Sequence, residues 1–159
     1  MNISLNMRLL IALFVAFVLT VLPLPDLLHG IRPPWILLLV LYVQFYLPHY
    51  FNITLILILG LCLDVLLSTV IGEHAFALLL TTWISSGKTR RFYFFSMIQQ
   101  TMLIASFCFI YQLCLFLMES FLGYHNPVMM LVASTLLTIL LWPWVRVLAD
   151  NTLCYDTRL

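Results

Sequence analysis

Long apolar runs, separated by short clusters of proline, glycine and charged residues, dominate the pattern of this chain. No charged residue lies between residues 92 and 118 or between residues 120 and 145. A helix needs about 20 apolar residues to cross a hydrocarbon core of roughly 30 Å. The stretch 33–72 carries one acid, Asp64, and is long enough for two crossings. Because the runs do not alternate apolar with polar residues, as the strands of a membrane β-barrel do, the pattern predicts helices.

The breaks between the apolar runs predict six helical segments in a single transmembrane domain over residues 1–159. Proline breaks or opens a helix because it lacks a backbone donor, so Pro23 ends the first run and Pro33 opens the second. Gly72 separates the third run from the fourth, and Gly123 separates the last two. The predicted segments are about 8–25, 33–48, 52–71, 74–87, 93–122 and 127–149.

Two of these segments allow another interpretation. Segment 74–87 is short for a full crossing, so the third and fourth segments could form a re-entrant hairpin, which would leave the orientation of the rest unchanged. The first run follows Arg8 as in a signal peptide, but it ends in Pro-Leu-Pro-Asp without a small-x-small cleavage site. We therefore interpret it as an uncleaved first span.

Composition and charge agree with a polytopic membrane protein. The chain is 64% hydrophobic and 8% charged, whereas soluble domains are about 25% charged. With the N-terminus inside, six of the seven basic residues are cytoplasmic and only Arg32 is outside, as the positive-inside rule requires. Both termini are then cytoplasmic. The cytoplasmic residues are Arg8, Lys88, Arg90, Arg91, Arg146 and Arg158.

Lys88, Arg90 and Arg91 form the one concentrated charge of the chain. A basic loop at the cytoplasmic boundary suits anionic lipid or an acidic partner. The net charge of +1 gives no reason to expect nucleic acid as a partner.

Asp64 is the leading candidate for a functional residue, because a carboxyl group within a membrane span is costly. Gly60, Asp64, Ser68 and Gly72 follow at four-residue spacing, which on one helix forms a narrow face of small and polar groups. The favoured interpretation is a neutral hydrogen-bonding group that holds two helices in register; a proton relay or a ligand contact is the alternative. As such a group, Asp64 should tolerate asparagine, and leucine should weaken assembly by about 1–2 kcal/mol.

Other polar and aromatic residues have weaker signals. Gln112 and Glu119 lie seven residues apart and share a helix face, suited to helix packing or a partner. Arg32 and Pro33, with Trp35, are typical of an outer interfacial anchor. At the cytoplasmic end of the last span, an aromatic belt with a proline kink is predicted for Trp142, Pro143 and Trp144.

Catalytic and metal-binding patterns are missing from the sequence. The four cysteines form no CxxC pair, and none of the four histidines has a second histidine or a carboxylate at the i, i+4 spacing of a helical metal site. No nucleophile motif or phosphate-binding loop is present. We therefore expect no metal, no cofactor and no enzymatic activity.

The chain resembles the MreD family, the small integral membrane subunit of the bacterial rod-shape machinery. The resemblance is carried by PLPDLLHGIRPPWILLLVLYVQFYLPH at 23–49, GLCLDVLLSTVIGEHAFALLL at 60–80 and LLWPWVRVL at 140–148, and it extends over essentially the whole chain. Family-typical positions by motif match are Arg32, Pro33, Gly60, Asp64, Gly72, Trp142, Pro143 and Trp144.

The resemblance implies a fold and a function beyond what the residues show. It implies a fold similar to the substrate-binding (S) subunits of energy-coupling-factor transporters, with about six helices, in the bacterial inner membrane. It implies a non-enzymatic scaffold of the elongation complex, which maintains rod shape together with peptidoglycan synthesis. The implied partners are MreC, a single-span protein, and through it MreB, RodA and its penicillin-binding transpeptidase.

The sequence leaves two other functions open. A small-molecule-binding subunit of an energy-coupling-factor-type transporter is suggested by Asp64 and the six-helix resemblance. A small lipid-modifying enzyme would need paired polar residues at one membrane depth, and Glu73 with His74 is the only close set in the sequence.

Overall fold

The computed structural model describes residues 3–22, 33–48, 52–92, 94–123 and 128–153, and every regular element in this part of the chain is a helix. Six helices have twelve residues or more, as the apolar runs predict, and one has a single turn. They are α1 (Ile3–Val21), α2 (Trp35–Tyr46), α3 (Ile53–Leu67), α4 (Glu73–Ser86), the single-turn α5 (Thr89–Phe92), α6 (Met97–Phe121) and α7 (Val128–Leu153).

Capping residues set the starts of α3 and α6. The predicted segment bounds did not take these caps into account. Before α3, the Asn52 side chain accepts a hydrogen bond from the Thr54 N–H at 3.1 Å. Before α6, the Ser96 side chain accepts from the Gln99 N–H, and the Gln99 side chain accepts from the Ser96 N–H. This capping box moves the start of α6 from the predicted residue 93 to Met97.

Several predictions fall outside the described residues. These are the helix end at Pro23 and the positions of Arg32 and Arg158, and the structure does not describe the side chains of Arg90 and Arg91. Pro143 lies inside α7, which continues through it to Leu153.

Helix α2 forms the centre of the described structure. Eight of its twelve residues are buried, and α1, α4, α6 and α7 all pack against it. Helices α3 and α4 form a hairpin, α6 pairs with α7, and α4 packs on α6. An apolar helix that is buried on nearly all sides is typical of the core of a helix bundle.

The outward faces of the bundle are apolar, in contrast to those of a soluble protein. Phe14 of α1, Trp83 of α4 and Leu140 of α7 are each about 70% exposed or more. Helix α6 and residues 131–149 of α7 are long and apolar enough to cross a membrane, and three shorter apolar helices accompany them among the described residues. Large apolar side chains exposed on several helices suit contact with lipid better than contact with water. The fold is therefore that of a helical membrane protein.

Candidate functional site

The candidate site is the turn that joins α3 to α4, with Asp64 beneath it. Asp64 lies one turn before the end of α3 and is fully buried. Ser68 ends α3 in the left-handed conformation, with φ of 54°, and Gly72 precedes α4 with φ of 102°. Glycine adopts that conformation without steric cost. The two left-handed residues fold the chain back so that α4 begins beside Asp64.

The carboxylate of Asp64 accepts hydrogen bonds from the start of α4. Oδ2 accepts from the Gly72 N–H at 2.7 Å, and Oδ1 accepts from the His74 N–H at 2.8 Å. His74 Nδ1 also lies 3.0 Å from Oδ1, and Thr69 Oγ1 lies 3.3 Å from His74 Nδ1. The Asp64 backbone carbonyl accepts from the Thr69 N–H at 3.0 Å.

This geometry makes Asp64 a helix cap supplied from a neighbouring helix. The first N–H groups of any helix lack partners within it, and a carboxylate there is also favoured by the helix dipole. Gly72, the N-cap residue of α4, has no side chain to provide the acceptor. Asp64 supplies it from α3 and so fixes the two helices against each other.

The same two helices approach very closely one turn earlier, at Gly60. A Cβ atom built on Gly60 would lie 2.3 Å from the Cα of Ala75 and 2.8 Å from its Cβ. A real Cβ cannot occupy that space, so only glycine allows the α3 and α4 backbones to meet there.

The four residues of the predicted face are divided between α3 and the turn after it. Gly60 and Asp64 both point at α4, as helix packing requires. Ser68 ends the helix with an exposed side chain, and Gly72 belongs to the turn, so neither extends the face of α3. The spacing assumed a helix up to residue 71, whereas the helix ends at Leu67.

Glu73 and His74, the close polar pair of the sequence, lie at the start of α4 beside Asp64. Glu73 is 4% exposed, and its carboxylate interacts electrostatically with those of Glu119 and Asp64. The His74 ring lies edge-on to Tyr111 of α6, with 6.4 Å between ring centroids. In the sequence, His74 was marked only by its position directly after Glu73. Gln112 lies half-buried in α6.

A second polar cluster joins α2 to α4 near the opposite end of the bundle. Gln44 Nε2 donates to the carbonyl of Thr82 at 2.9 Å, and Ser85 Oγ donates to Gln44 Oε1 at 2.7 Å. All three residues are buried. Lipid is as apolar as the helix surfaces, so burial alone gives little drive for helices to associate in a membrane. Interhelical hydrogen bonds of this kind help to hold them together.

Ser85→Ala should therefore destabilise the protein more than Ser86→Ala. Ser85 bonds across helices, whereas the exposed Ser86 bonds only to the Trp83 carbonyl of its own helix. We expect a loss of about 1 kcal/mol for the first change and nearly none for the second. Thermal melting of the two detergent-purified variants measures the difference, and equal melting temperatures would contradict it.

A third cluster lies at the start of α6 and the last turns of α7. The Gln100 side chain donates to the carbonyls of Phe92 and Phe95 at 3.1 Å and accepts from Arg146 at 2.6 Å. The Arg146 guanidinium also lies 5.6 Å from the centre of the Tyr46 ring, a cation–π contact. These contacts join α2, α5, α6 and α7 at the same height along the bundle axis.

The aromatic belt predicted at this end divides between the core and the surface. Trp144 is 69% exposed, as an interfacial residue should be, but Trp142 is fully buried. Trp142 packs edge-on to Phe92, which stacks on Phe45 at 4.0 Å. The anchor interpretation of Trp142 is therefore wrong, because the helix turns it inward. Its indole nitrogen is the one buried side-chain polar atom without a partner among the described residues.

An apolar cavity of about 340 Å³ lies among α1, α2 and α3. Nine of its ten lining residues are leucine, isoleucine or valine, and the tenth is Asn52. It is separate from Asp64 and contains no charged group. Within the described residues, no three His, Cys, Asp or Glu side chains are grouped so as to hold a metal ion.

The family model described as rod shape-determining protein MreD matches residues 1–151. The chain belongs to the MreD family. A relative, the rod shape-determining protein MreD of Haemophilus influenzae, is 31% identical over 134 residues, which cover 84% of this chain and 83% of the relative. No solved structure matches the chain. Membership in the MreD family agrees with a helical membrane protein.

Proposed function

We propose that this chain is a non-enzymatic scaffold of the bacterial inner membrane that maintains rod cell shape. The observation that carries the proposal is the MreD family match over residues 1–151. Its finer content follows from the resemblance: the chain binds MreC and, through it, joins MreB, RodA and the penicillin-binding transpeptidase to lateral wall synthesis.

The contacts of the buried polar groups support a scaffold. Asp64 bonds α3 to the start of α4, Gln44 bonds α2 to α4, and Gln100 bonds the start of α6 to α7. Each group is used for helix packing, and catalysis would need convergent groups with their reactive atoms open to a substrate. The described residues contain no such set in contact with the 340 Å³ cavity.

The two ends of the bundle support an orientation with cytoplasmic termini. Tyr46, Gln100 and Arg146 are at one level, and the exposed Lys88 follows α4 at that same end. The turn with Asp64 lies at the opposite end of α3 and α4. Assigning the basic end to the cytoplasm follows the positive-inside rule.

Depletion of the protein should convert rod-shaped cells to round ones. A plasmid copy of the native chain should restore rods, and the ratio of cell length to width measures the rescue. Gly87→Ala provides a matched control copy, because a Cβ at Gly87 meets nothing within 4 Å. Rods that persist after complete depletion, in a strain without a second copy, would contradict the proposed role.

Mild-detergent purification of the tagged protein tests the partner. Recovery of the single-span partner MreC with wall-synthesis enzymes would support the scaffold. Recovery of paired ATPases with a coupling membrane subunit would instead favour the transporter alternative and the likeness to its S subunits. The apolar cavity is the feature of the structure that supports this transporter alternative. Its lining suits an apolar ligand.

A further inference from the structure

The α3–α4 and α6–α7 helix pairs have very different lengths. Helices α3 and α4 have 15 and 14 residues, and α6 and α7 have 25 and 26. At about 1.5 Å per residue, the first pair is about 22 Å long and the second about 38 Å. A hydrocarbon core of roughly 30 Å is therefore within reach of α6 and α7 but exceeds the helical length of α3 and α4. Because α2, with 12 residues, is shorter still, the depth of the hairpin follows from its contacts and not from its length alone.

Side-chain contacts show at which end the hairpin falls short. At the cytoplasmic end, Gln100 of α6 bonds to the carbonyl of Phe92, just after α4. At the other end, His74 at the start of α4 lies beside Tyr111, and α6 continues for ten more residues to Phe121. Those residues correspond to about 15 Å of helix. The start of α4 is thus below the outer end of α6, and the turn is below it by less than this length, because residues 68–72 extend further outward and Glu73 interacts with Glu119.

Helix α7 gives the same result independently. Thr138 contacts Cys108 at 3.2 Å, three residues before Tyr111, and α7 begins ten residues before Thr138, at Val128. The outer end of α7 therefore also extends about 10 Å past the level of the turn.

The exposed side chains at the tip of the hairpin are mainly apolar. Ile71 is 76% exposed and Val70 is 44% exposed, and they continue the apolar surface formed by Val65 and Phe76. Ser68 is the exposed polar residue of the turn. A turn in water usually carries glycine, proline, asparagine or aspartate in these positions.

The backbone donors of the turn are largely satisfied from within. Asp64 accepts from the N–H groups of Thr69, Gly72 and His74, and the Val70 carbonyl accepts from Glu73. Irregular backbone at membrane depth requires such partners, because hydrocarbon supplies none.

We propose that the tip of the α3–α4 hairpin ends inside the hydrocarbon of the outer leaflet, where Val70 and Ile71 contact lipid acyl chains. The hairpin is then re-entrant from the cytoplasmic side. Asp64 is the group that makes this possible, since it satisfies the donors that lipid cannot. The name of the leaflet rests on the orientation proposed above, whereas the depth of the tip does not.

Spin labels at three exposed positions test the depth. In a variant whose cysteines are replaced by serine, Ile71→Cys labels the tip, Ser106→Cys labels the middle of α6, and Ser120→Cys labels its outer end. The labelled proteins are reconstituted in phosphatidylethanolamine–phosphatidylglycerol vesicles. Collision of each nitroxide with oxygen, which enters lipid, and with a water-soluble nickel chelate is measured. Val70→Cys replaces Ile71→Cys if the latter does not fold.

We expect the tip label to behave like Ser106, with high oxygen collision and nickel collision several-fold below that of Ser120. Nickel collision equal to that of Ser120 would place the tip in water and overturn the proposal. Low collision with both reagents would show that protein covers the tip, and this too would overturn it. None of these results depends on cell shape, so failure here leaves the proposed function unaffected.

Discussion

Replacing Gly60 with leucine should prevent α3 and α4 from packing and leave little folded protein. The nearest atoms to a new Cβ are the backbone Cα and N of Ala75, at 2.3 and 2.8 Å, and a backbone cannot move aside as a flexible side chain can. Overpacking usually costs about 1–3 kcal/mol and sometimes more. Here the helices must separate along a buried interface, so we expect a loss above about 3 kcal/mol.

Thermal melting in detergent, followed by tryptophan fluorescence, measures the loss. A change of 1 kcal/mol shifts the melting temperature by about 2–4 °C in a protein of this size. Gly60→Leu should therefore melt at least about 6 °C below the native protein, or elute as an aggregate. Gly60→Ala should be intermediate, because it adds only the first of the clashing atoms.

Gly87→Ala is the matched control. Gly87 has φ of −65°, which any residue adopts, and a Cβ there meets nothing within 4 Å. Its melting temperature should equal that of the native protein. If Gly60→Leu also melts normally, α3 and α4 do not meet at Gly60, and the interface described here is wrong.

The helical segments could be predicted from the sequence because their causes are local. Apolar runs without charge, broken by proline and glycine, predict six helices, and the described residues contain six of twelve residues or more besides the single-turn α5. The boundaries depend on single side chains, such as the Ser96 cap that delays α6 to Met97. The end of α3 at Leu67 could not be found by spacing, because the left-handed conformation of Ser68 is imposed by the turn.

The sequence marks Asp64 as a candidate, but it does not show which groups contact the carboxylate. A carboxyl group in an apolar run marks Asp64 without any structure. Its partners are backbone N–H groups eight and ten residues later, and backbone donors leave no trace in the residue types. Burial of Trp142 was missed for a related reason, since a tryptophan near a span end fits both an interface and a core.

Both Asp64→Leu and Asp64→Asn should lower the stability of the folded protein. The sequence alone suggests instead that asparagine is tolerated. Asp64 accepts at both oxygens from backbone donors. An asparagine can accept at one position, but its NH₂ group would face the N–H of Gly72 or His74. Leucine would leave both donors without an acceptor. Each buried unsatisfied group costs about 1–3 kcal/mol, so we expect about 1–3 kcal/mol for asparagine and about 3–5 for leucine.

Melting temperatures of Asp64→Asn, Asp64→Leu and the control Thr69→Val decide between a cap and another role. Thr69 Oγ1 lies 3.5 Å from Asp64 Oδ1 and 3.3 Å from His74 Nδ1, both long for hydrogen bonds, so losing this hydroxyl should cost less than either change at Asp64. The cap predicts the order Thr69→Val, Asp64→Asn, Asp64→Leu, from the smallest loss to the largest, with rescue of rod shape following stability. A stable Asp64→Asn protein that leaves cells round would instead show that the carboxylate acts in function directly, because stability and shape would then separate at the one atom that was changed.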